Sequence, residues 1–511
     1  MAKSQLLELP PELILACLEN LPFRDLDACL ESGSRLIRDL IRDSVVIRYR
    51  RQQLRAGVEE NPQLASNLVI SDRVVQLQCR ETDWQNFSPR STHGVNLDFE
   101  TSGLYDLGSD VYFVGGSPDP KTRMCTAIKA IHTSPGAEWH TIDCGKSIVD
   151  FGTALEEHDL IAMVTYTLYG QNLRTASVDV VFFKFSTGTA HPLATRHTLH
   201  IHDIEVNCGR PTISIEFSGE TLALSIVYWG FERRDMDALH LYNWQTGIPK
   251  MDPFPICNTG LAFLTPDLLI LTNSMDSALD VLRVPSTDNP EPPNFIHSFH
   301  LPLLAPSTSI HTFQCRGAPN PRASFSRPGT APFLARPASA LIQCTLQIIT
   351  PIGVSSCIFV LDRARFTAVV NSCRKTPRSR GSAEDDGSDE EEDDDHHIDI
   401  EWDEWGPRCT RWLDADDLST QYITTSAGQR MVAIAYNAFQ QPAPIRVLDF
   451  NPAAVLAFDS ADHSDGLHAT RRVVPAGTQV LEPFADPLVS GDALRGGHIQ
   501  ASVRLWRSFG E

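Results

Sequence analysis

The sequence has no hydrophobic run that approaches the roughly 20 residues an α-helix needs to span a bilayer. Its start, MAKSQLLEL, also lacks the charged-then-apolar layout of a secretory signal. Both absences predict an intracellular protein, located in the cytoplasm, in the nucleus or in both, and we expect no membrane partner.

Positive charge is scarce. Lys and Arg number 43 against 64 Asp and Glu, and the formal net charge of the 511 residues is −21. Binding to nucleic-acid phosphates needs clustered Lys and Arg that release counterions. The charge balance therefore argues against a nucleic-acid partner, and a basic peptide surface is a better electrostatic match.

Paired cysteines are missing as well. The 12 cysteines are scattered along the chain and include no C-x-x-C pair. In a reducing compartment such cysteines are small buried hydrophobic residues rather than a disulfide or zinc framework. We expect neither a structural metal nor disulfide bonds.

The common catalytic motifs are absent too. There is no G-x-S-x-G elbow, no G-x-x-x-x-G-K-[ST] phosphate loop and no G-x-G-x-x-G after a strand. HTLHIHD places His200 and His202 on one face of a possible strand, but no cysteine or carboxylate follows at ligand spacing. We therefore expect no catalysis, no cofactor and no metal site.

What the chain does contain begins with a helical N-terminal region, residues 1–56. In PPELILACLENL, five apolar residues recur at helical spacing and share one face: Leu13, Ile14, Cys17, Leu18 and Leu21. Pro10 and Pro11 suit the helix entry, and Pro22 ends the helix. Asp25 can cap a second helix, and Leu36, Ile37, Leu40 and Ile41 form the stripe of a third. Three short helices are predicted.

After a linker at 57–67, residues 68–511 are β-patterned. Five pairs of apolar runs have a hairpin layout, and their second runs begin near Val180, Leu239, Leu279, Cys357 and Ile445. Irregular gaps between these runs are compatible with degenerate units of about 40 to 50 residues. The predicted fold is thus mainly β with a small helical N-terminal domain, and the β region is a β-propeller with degenerate blades. A β-sandwich or an irregular antiparallel domain is the alternative.

Two segments fit no blade. Residues 285–337 are dense in proline and are predicted to form long loops with at most one eroded blade. Residues 371–397 are poor in apolar residues and rich in blocks of charge, which predicts a disordered acidic insert. Ser382 and Ser388 precede acidic residues and are candidate phosphorylation sites. The insert is otherwise a clamp for basic segments or a solvated linker.

Tryptophans are the candidate anchors for a bound peptide. The β region supplies Trp229, Trp244, Trp402, Trp405 and Trp412. Aromatic residues at the end of a blade strand more often belong to the core, so both interpretations stay open for each of them.

The helical region resembles an F-box. In LPPELILACLENLPFRDLDACLESGSRLIRDLI, the family pattern of Leu-Pro-x-Glu, an apolar helix, then Leu-x-x-x-Asp-Leu and a second apolar helix is matched in order and spacing. The resemblance covers about 45 residues. Where the family often has Val-Cys, basic residues and an aromatic residue, this chain has Gly33, Ser34, Arg35, Leu36 and Ile37.

This resemblance implies binding to the Skp-type adaptor subunit of a Skp-cullin-F-box (SCF) ubiquitin ligase, and through it to a cullin, while the β region selects a protein substrate. The residues that carry the resemblance and are predicted to bind the adaptor are Leu9, Pro10, Glu12, Leu13, Ile14, Leu18, Leu21, Pro22, Asp25 and Leu26.

The β region resembles WD-type repeats more weakly. ALHLYNWQTG and PIRVLDFNP are similar to the end of such a repeat, although a Gly-His opening is absent and only Trp244 closes a unit in the expected way. Two further functions remain as hypotheses: a non-catalytic propeller scaffold for protein assembly outside ubiquitin ligation, and, with no residue to support it, an enzyme at the channel mouth of a propeller.

Overall fold

The structure is a computed structural model. It describes residues 8–21, 23–65, 68–86, 95–108, 110–116, 118–119, 123–170, 173–205, 209–228, 237–257, 260–286, 290, 292–322, 331–373, 397–414, 426–434, 445–451, 472–473 and 502–506. The fold is mainly β, as predicted, with helices concentrated at the N-terminal end. None of the described helices is long and apolar enough to cross a membrane.

The N-terminal region, which we call the helical head, contains the three predicted helices and a fourth. The helices are α1 (Pro11–Glu19), α2 (Phe23–Glu31), α3 (Arg35–Asp43) and α4 (Val45–Ala56). The predicted stripe of the third helix lies wholly within α3, and a separate helix follows it because the Ser44 hydroxyl accepts a hydrogen bond from the Ile47 N–H and so caps α4. The head has its own core, formed by Ile14, Leu18, Leu26, Ile37, Ile41 and Ile47.

The segment predicted as a linker is structured. It contains β1 (Val58–Glu60) and α5 (Pro62–Ala65), and it is followed by α6 (Ile70–Asn86), where the sequence pattern had favoured strands. Gly57 makes the turn into β1 in a left-handed conformation, with φ of 64°. Leu77 of α6 packs with Tyr49 of α4 and Val58 of β1. This small second core joins the helical head to the β region.

The β region begins with one large antiparallel sheet. Its strands are β2 (Thr101–Gly108), β3 (Val111–Gly116), β4 (Cys125–His132), β5 (His140–Ala154), β6 (Leu160–Tyr169), β7 (Thr175–Lys184), β8 (Thr189–Ala190) and β9 (Thr198–Glu205), with the short helix α7 (Leu155–His158) between β5 and β6. The first part of β5 pairs with β4 up to Ile148 and the rest pairs with β6. Strand β5 therefore belongs to two successive four-stranded meanders, which we number 1 (β2 to β5) and 2 (β5, β6, β7 and β9).

Two similar meanders follow. Meander 3 contains β10 (Thr212–Ser218), β11 (Thr221–Val227), β12 (Ala238–Asn243), β13 (Ile248–Pro249) and β14 (Phe254–Pro255). Meander 4 contains β15 (Leu261–Thr265), β16 (Leu268–Asn273), β17 (Ala278–Arg283) and β18 (Asn294–His300). Strand β10 packs against β5 and β15, so neighbouring meanders meet through their first strands.

The last two meanders are interrupted by insertions. Meander 5 contains β19 (Ser309–Gly317), β21 (Leu341–Thr350), β22 (Gly353–Asp362) and β24 (Thr410–Asp414), and meander 6 contains β25 (Ser426–Ala427), β26 (Arg430–Ile434), β27 (Ile445–Asp449), β28 (Arg472–Val473) and β29 (Ser502–Trp506). Within meander 5 lie β20 (Phe333–Ala335), a 3₁₀ turn at Pro337–Ser339, α8 (Arg363–Cys373), β23 (Ile398–Ile400) and α9 (Trp402–Cys409). Strand β20 pairs with β1, and β23 pairs in parallel with β18.

The five predicted hairpins are all present, as β6–β7, β11–β12, β16–β17, β21–β22 and β26–β27. The proline-dense segment 285–337 differs from its prediction, because it contributes β18, β19 and β20. Prolines occupy the connections there, where no ladder hydrogen bond is required of them. Of the predicted acidic insert, residues 371–373 end α8, and 374–396, with Ser382 and Ser388, lie outside the described residues.

Candidate functional site

The helical head exposes an apolar strip at the start of α1. Leu9 is 39% exposed and Leu13 is 52% exposed, and Pro10 lies between them at the N-cap. Pro10 fits this position because its carbonyl accepts hydrogen bonds from the N–H groups of Leu13 and Ile14, while its own missing N–H would have no helical partner. Large apolar side chains left in water in this way are typical of a contact surface.

The structure separates the ten predicted adaptor-binding residues by burial. The exposed ones are Leu9, Pro10, Glu12, Leu13 and Asp25, and Leu21 is half-buried. Ile14, Leu18 and Leu26 are buried in the core of the head, where they position α1 and α2 rather than face solvent. Pro22 lies outside the described residues.

Two apolar residues that sequence reasoning did not select are also exposed on the head. Leu36 on α3 and Val46 on α4 are each about two-fifths exposed, at 43% and 42%. Helix α1 packs against α3 and α4, so these side chains lie on the same small bundle as the strip. Leu36 belongs to the part of the sequence that departs from the F-box pattern, where Ser34 caps α3 and Ile37 turns into the core.

The head is fastened to the β region by ion pairs as well as by the β1–β20 ladder. Arg322 forms ion pairs with Glu59 of β1 and with Glu156 of α7, the latter at 2.6 Å between Nη1 and Oε2. Arg430 of β26 joins Glu81 of α6 to Asp449 of β27, with Arg430 nitrogens 2.6 and 3.0 Å from the two carboxylates. These ion pairs join β1 and α6 to the sheets, and α4 of the head packs against both of these elements.

A cluster of charged side chains lies where the first strands of four meanders converge, and we call it the central cluster. Asp106 of β2, Asp150 of β5, Glu216 of β10 and Arg316 of β19 interact electrostatically there. Arg316 Nη2 donates to Asp106 Oδ1 at 2.8 Å, which links meander 5 to meander 1. The same strands hold apolar side chains against their neighbouring meanders, so these charges sit at the junction of the sheets.

Two further side chains complete the central cluster. Asn320 donates its amide N–H to Glu216 Oε2 at 2.5 Å. Arg363, fully buried at the start of α8, donates from Nη1 to the carbonyls of Pro319 and Pro337 at 2.5 and 2.8 Å, which leaves its Nε and Nη2 without a hydrogen-bond partner in the described part of the chain. The cluster thus holds three carboxylates against two guanidinium groups.

Burial shifts the pKa values of the groups in the cluster. Burial, assisted by the Asp106 and Glu216 carboxylates, raises the pKa of Asp150 to about 7. Burial also raises the pKa of Glu216 and lowers the pKa of Arg363 to about 10. The sequence signal for the cluster was an acidic residue inside an otherwise apolar strand, as in SIVDFG and ISIEFS, but which strands would meet was not readable from it.

The histidines considered as metal ligands have other partners. His200 Nδ1 lies 3.0 Å from Asp179 Oδ1, and His202 Nε2 lies 2.9 Å from the Tyr228 hydroxyl. His202 stacks on His240, whose ring in turn stacks on Tyr242. Burial lowers the pKa of His202 and lowers that of His240 to about 4. No group of His, Cys, Asp and Glu side chains able to hold a metal ion occurs among the described residues.

The candidate peptide-anchoring tryptophans are core residues where the structure describes them. Trp244, Trp402, Trp405 and Trp412 are all buried, and the last three contact each other or neighbouring phenylalanines in one cluster. Trp229 lies outside the described residues. The four described tryptophans thus stabilise the sheets instead of offering an open surface.

No protein-family model matches the chain, and no curated protein matches it in sequence. Among solved structures it is similar to the WD40 domain of SCAP from fission yeast, with 9% identity and a TM-score of 0.31 over 71% of this chain and 87% of that one. It is also similar to a functionally unknown protein from Desulfotomaculum acetoxidans DSM 771, with 14% identity and a TM-score of 0.29 over 52% of this chain and 67% of that one.

Proposed function

We propose that this chain is a substrate-recognition adaptor of an SCF-type ubiquitin ligase. The helical head binds the Skp-type adaptor subunit, and through it a cullin, while the β region holds a protein substrate. The chain itself performs no catalysis and needs no cofactor. Its location is cytoplasmic, nuclear or both.

One observation carries this proposal. Leu9, Pro10 and Leu13, which open the F-box-like motif, lie exposed at the start of α1, although three other apolar residues of the same motif fill the core of the head. The motif therefore divides into a buried set that builds the bundle and an exposed apolar set whose burial would stabilise a complex. Exposed Glu12 and Asp25 supply a polar rim beside the strip.

We further propose that the six meanders are degenerate blades of a β-propeller. Two features support this arrangement. The first strands of neighbouring meanders pack together, β5 with β10, β10 with β15 and β15 with β19. The Arg316–Asp106 ion pair also joins the first strand of meander 5 to the first strand of meander 1, which is compatible with first strands that line one central axis.

The proposal is tested by copurification of the full-length chain with the Skp-type adaptor and its cullin. We expect the wild-type chain to co-elute with both, and the Leu9→Ala, Leu13→Ala double variant to lose both, because interface energy concentrates in a few apolar anchors. Val75→Ala on α6 is the matched control, since Val75, like Leu13, is more than half exposed but lies outside the motif. Co-elution that survives the double substitution contradicts the proposal.

The alternative, a scaffold outside ubiquitin ligation, gives a different result in the same experiment. It predicts that no cullin co-elutes with the wild-type chain, whatever else binds to the head. The attachment of β1 and α6 to the sheets through Arg322 and Arg430 is compatible with this alternative as well. Recovery of the cullin is therefore the result that separates the two functions.

A further inference from the structure

A second exposed apolar surface lies at one end of meanders 4 and 5, on the sheets rather than on the helical head. Three segments form it: the β16–β17 turn at 273–277, the β18–β19 connection at 301–308 and the β21–β22 turn at 348–355. Their most exposed apolar residues are Met275 at 64%, Leu303 at 74%, Ile352 at 88% and Val354 at 66%. We call this surface the turn face.

The strand register places these segments at the same end of the two sheets. Asn273 pairs with Ala278, and Ala278 pairs with His300, where β18 ends. The Leu301 N–H also donates to the Ser277 carbonyl at 2.8 Å, so the connection that carries Leu303 starts beside the Met275 turn.

The β18–β19 connection ends beside the β21–β22 turn. Ser309, the first residue of β19, pairs with Ile349, and Ile349 pairs with Val354 across the β21–β22 hairpin. Side chains directly opposite each other lie on one face of a hairpin. Ile349 and Val354 therefore form an exposed apolar pair below the tip residue Ile352. Because β15 and β16 pack against β19, the two sheet ends are neighbours.

Charge is almost absent from the turn face. In the three segments Asp276 is the only charged residue, although 21% of the whole chain is charged. Depletion of charge around exposed apolar side chains is the compositional mark of the centre of a protein interface. A partner that covers this face needs an uncharged, apolar surface of its own.

The same composition disfavours a lipid surface. Peripheral membrane-binding surfaces combine apolar residues with Lys and Arg that meet anionic head groups. The three segments contain no Lys or Arg, and the chain carries a net charge of −21. An anionic leaflet would repel this protein rather than attract it.

We propose that the turn face docks a short, uncharged, apolar segment of a partner protein, with Ile352 and Val354 as its main anchors. The docking follows from the surface alone. Identification of that partner as a ubiquitination substrate rests on the proposed function.

The test uses the full-length chain and a phage-displayed library of random peptides as the probe. We expect selection to enrich peptides rich in apolar residues and poor in charge. Their affinity should fall at least about tenfold for the Ile352→Ser, Val354→Ser double variant, because these side chains are the anchors. Leu193→Ser, an exposed leucine between β8 and β9, is the matched control and should bind the peptides like wild type.

Several results would overturn the proposal. Peptides that bind the double variant as tightly as wild type, selected peptides that are highly charged, or no enrichment at all would each do so. Wild-type self-association that the double variant loses in sedimentation would assign the face to a second copy. Flotation with phosphatidylcholine vesicles that the double variant loses would assign it to lipid.

The experiments distinguish failure of the turn-face proposal from failure of the proposed function. Thermal unfolding of the double variant should match wild type, since both side chains point into water. Its copurification with the Skp-type adaptor should be unchanged. The Leu9→Ala, Leu13→Ala variant should keep the selected peptides even where it loses the adaptor.

Discussion

At the scale of single residues, the carboxyl of Asp150 lies in surroundings that disfavour its charge. Its only hydrogen bond from a described residue is from the Phe151 N–H at 2.8 Å, and the Asp106 and Glu216 carboxylates lie nearby. Arg316, the guanidinium that faces it, is already paired with Asp106. Burial therefore disfavours the ionised form of Asp150, and the Phe151 N–H and the Arg316 charge offset this cost only in part.

Protonation of Asp150 is coupled to folding, and the raised pKa sets the direction in which stability changes with pH. The carboxyl loses its proton near pH 3.8 in the unfolded chain but holds it to about pH 7 in the folded chain. The folded state binds the extra proton between these values, so the Asp150 contribution to stability falls as the pH rises from about 4 to about 7.

Asp150→Asn should remove this dependence. We expect the variant to gain roughly 1 kcal/mol or more over wild type at pH 8 relative to pH 5, since an amide does not ionise. Urea unfolding at the two pH values measures the difference. Asp252→Asn, at an exposed position, is the control. An identical pH dependence of Asp150→Asn and wild type would show that the carboxyl is compensated in the folded protein.

The lowered pKa of His240 predicts the opposite dependence of stability on pH. Its buried ring has a pKa of about 4, against 6.5 in the unfolded chain, and its Nε2 has no hydrogen-bond partner among the described residues. The stability it contributes is present above pH 6.5 and is lost as the pH falls to about 4.

The His240→Phe variant should therefore lose less stability than wild type between pH 7 and pH 5, by about 1 kcal/mol or more. Phenylalanine retains the ring between His202 and Tyr242 without a titratable group. Thermal unfolding at the two pH values is the measurement. Parallel loss of stability in both proteins would mean that the ring is solvated when it becomes charged.

At the scale of secondary-structure elements, the attachment of β1 and α6 to the sheets decides whether the helical head is held in place. Arg322 has 7% of its side-chain surface exposed and faces Glu59 and Glu156 together. Removal of one partner from a buried ion pair leaves an uncompensated charge, which costs far more than an exposed pair contributes.

Arg322→Gln should therefore release β1 from β20. We expect hydrogen exchange of the β1 amides to become at least about tenfold faster, which corresponds to a loss of about 1.4 kcal/mol in local stability. Arg123→Gln is the matched control, because the Arg123–Glu100 pair is more than half exposed on both sides. Equal exchange in wild type and Arg322→Gln would show that the β1–β20 ladder alone holds the head.

The elements also show what local sequence patterns can predict. Apolar spacing and Pro10 predicted α1 because every cause of that helix lies within a dozen residues. Helix α6 was missed because Leu77 is its only fully buried described side chain, so the apolar stripe is too narrow to read. The β1–β20 ladder was missed because its two strands, Val58–Glu60 and Phe333–Ala335, lie far apart in the sequence, where no local pattern links them.

At the scale of the whole molecule, local sequence patterns predicted the hairpins but not the central cluster. Each predicted hairpin joins neighbouring runs, and all five are present. Arg316 and Asp106 are 210 residues apart, and no local pattern indicates that they meet. For the candidate site, the motif located α1, but burial alone distinguishes exposed Leu13 from buried Ile14.

The structure also gives the molecule two separate apolar surfaces. The strip of Leu9, Pro10 and Leu13 lies on the helical head, and the turn face lies on meanders 4 and 5. If the proposed function holds, one surface meets the ligase and the other meets the partner protein.

The most direct test of this account is the dissociation constant of the full-length chain for the Skp-type adaptor, measured by calorimetry with wild type and with the Pro10→Ala, Leu13→Ala double variant. The account predicts specific binding by wild type and binding at least about tenfold weaker by the variant, with unchanged thermal unfolding. No binding by wild type, or equal binding by both proteins, would contradict it.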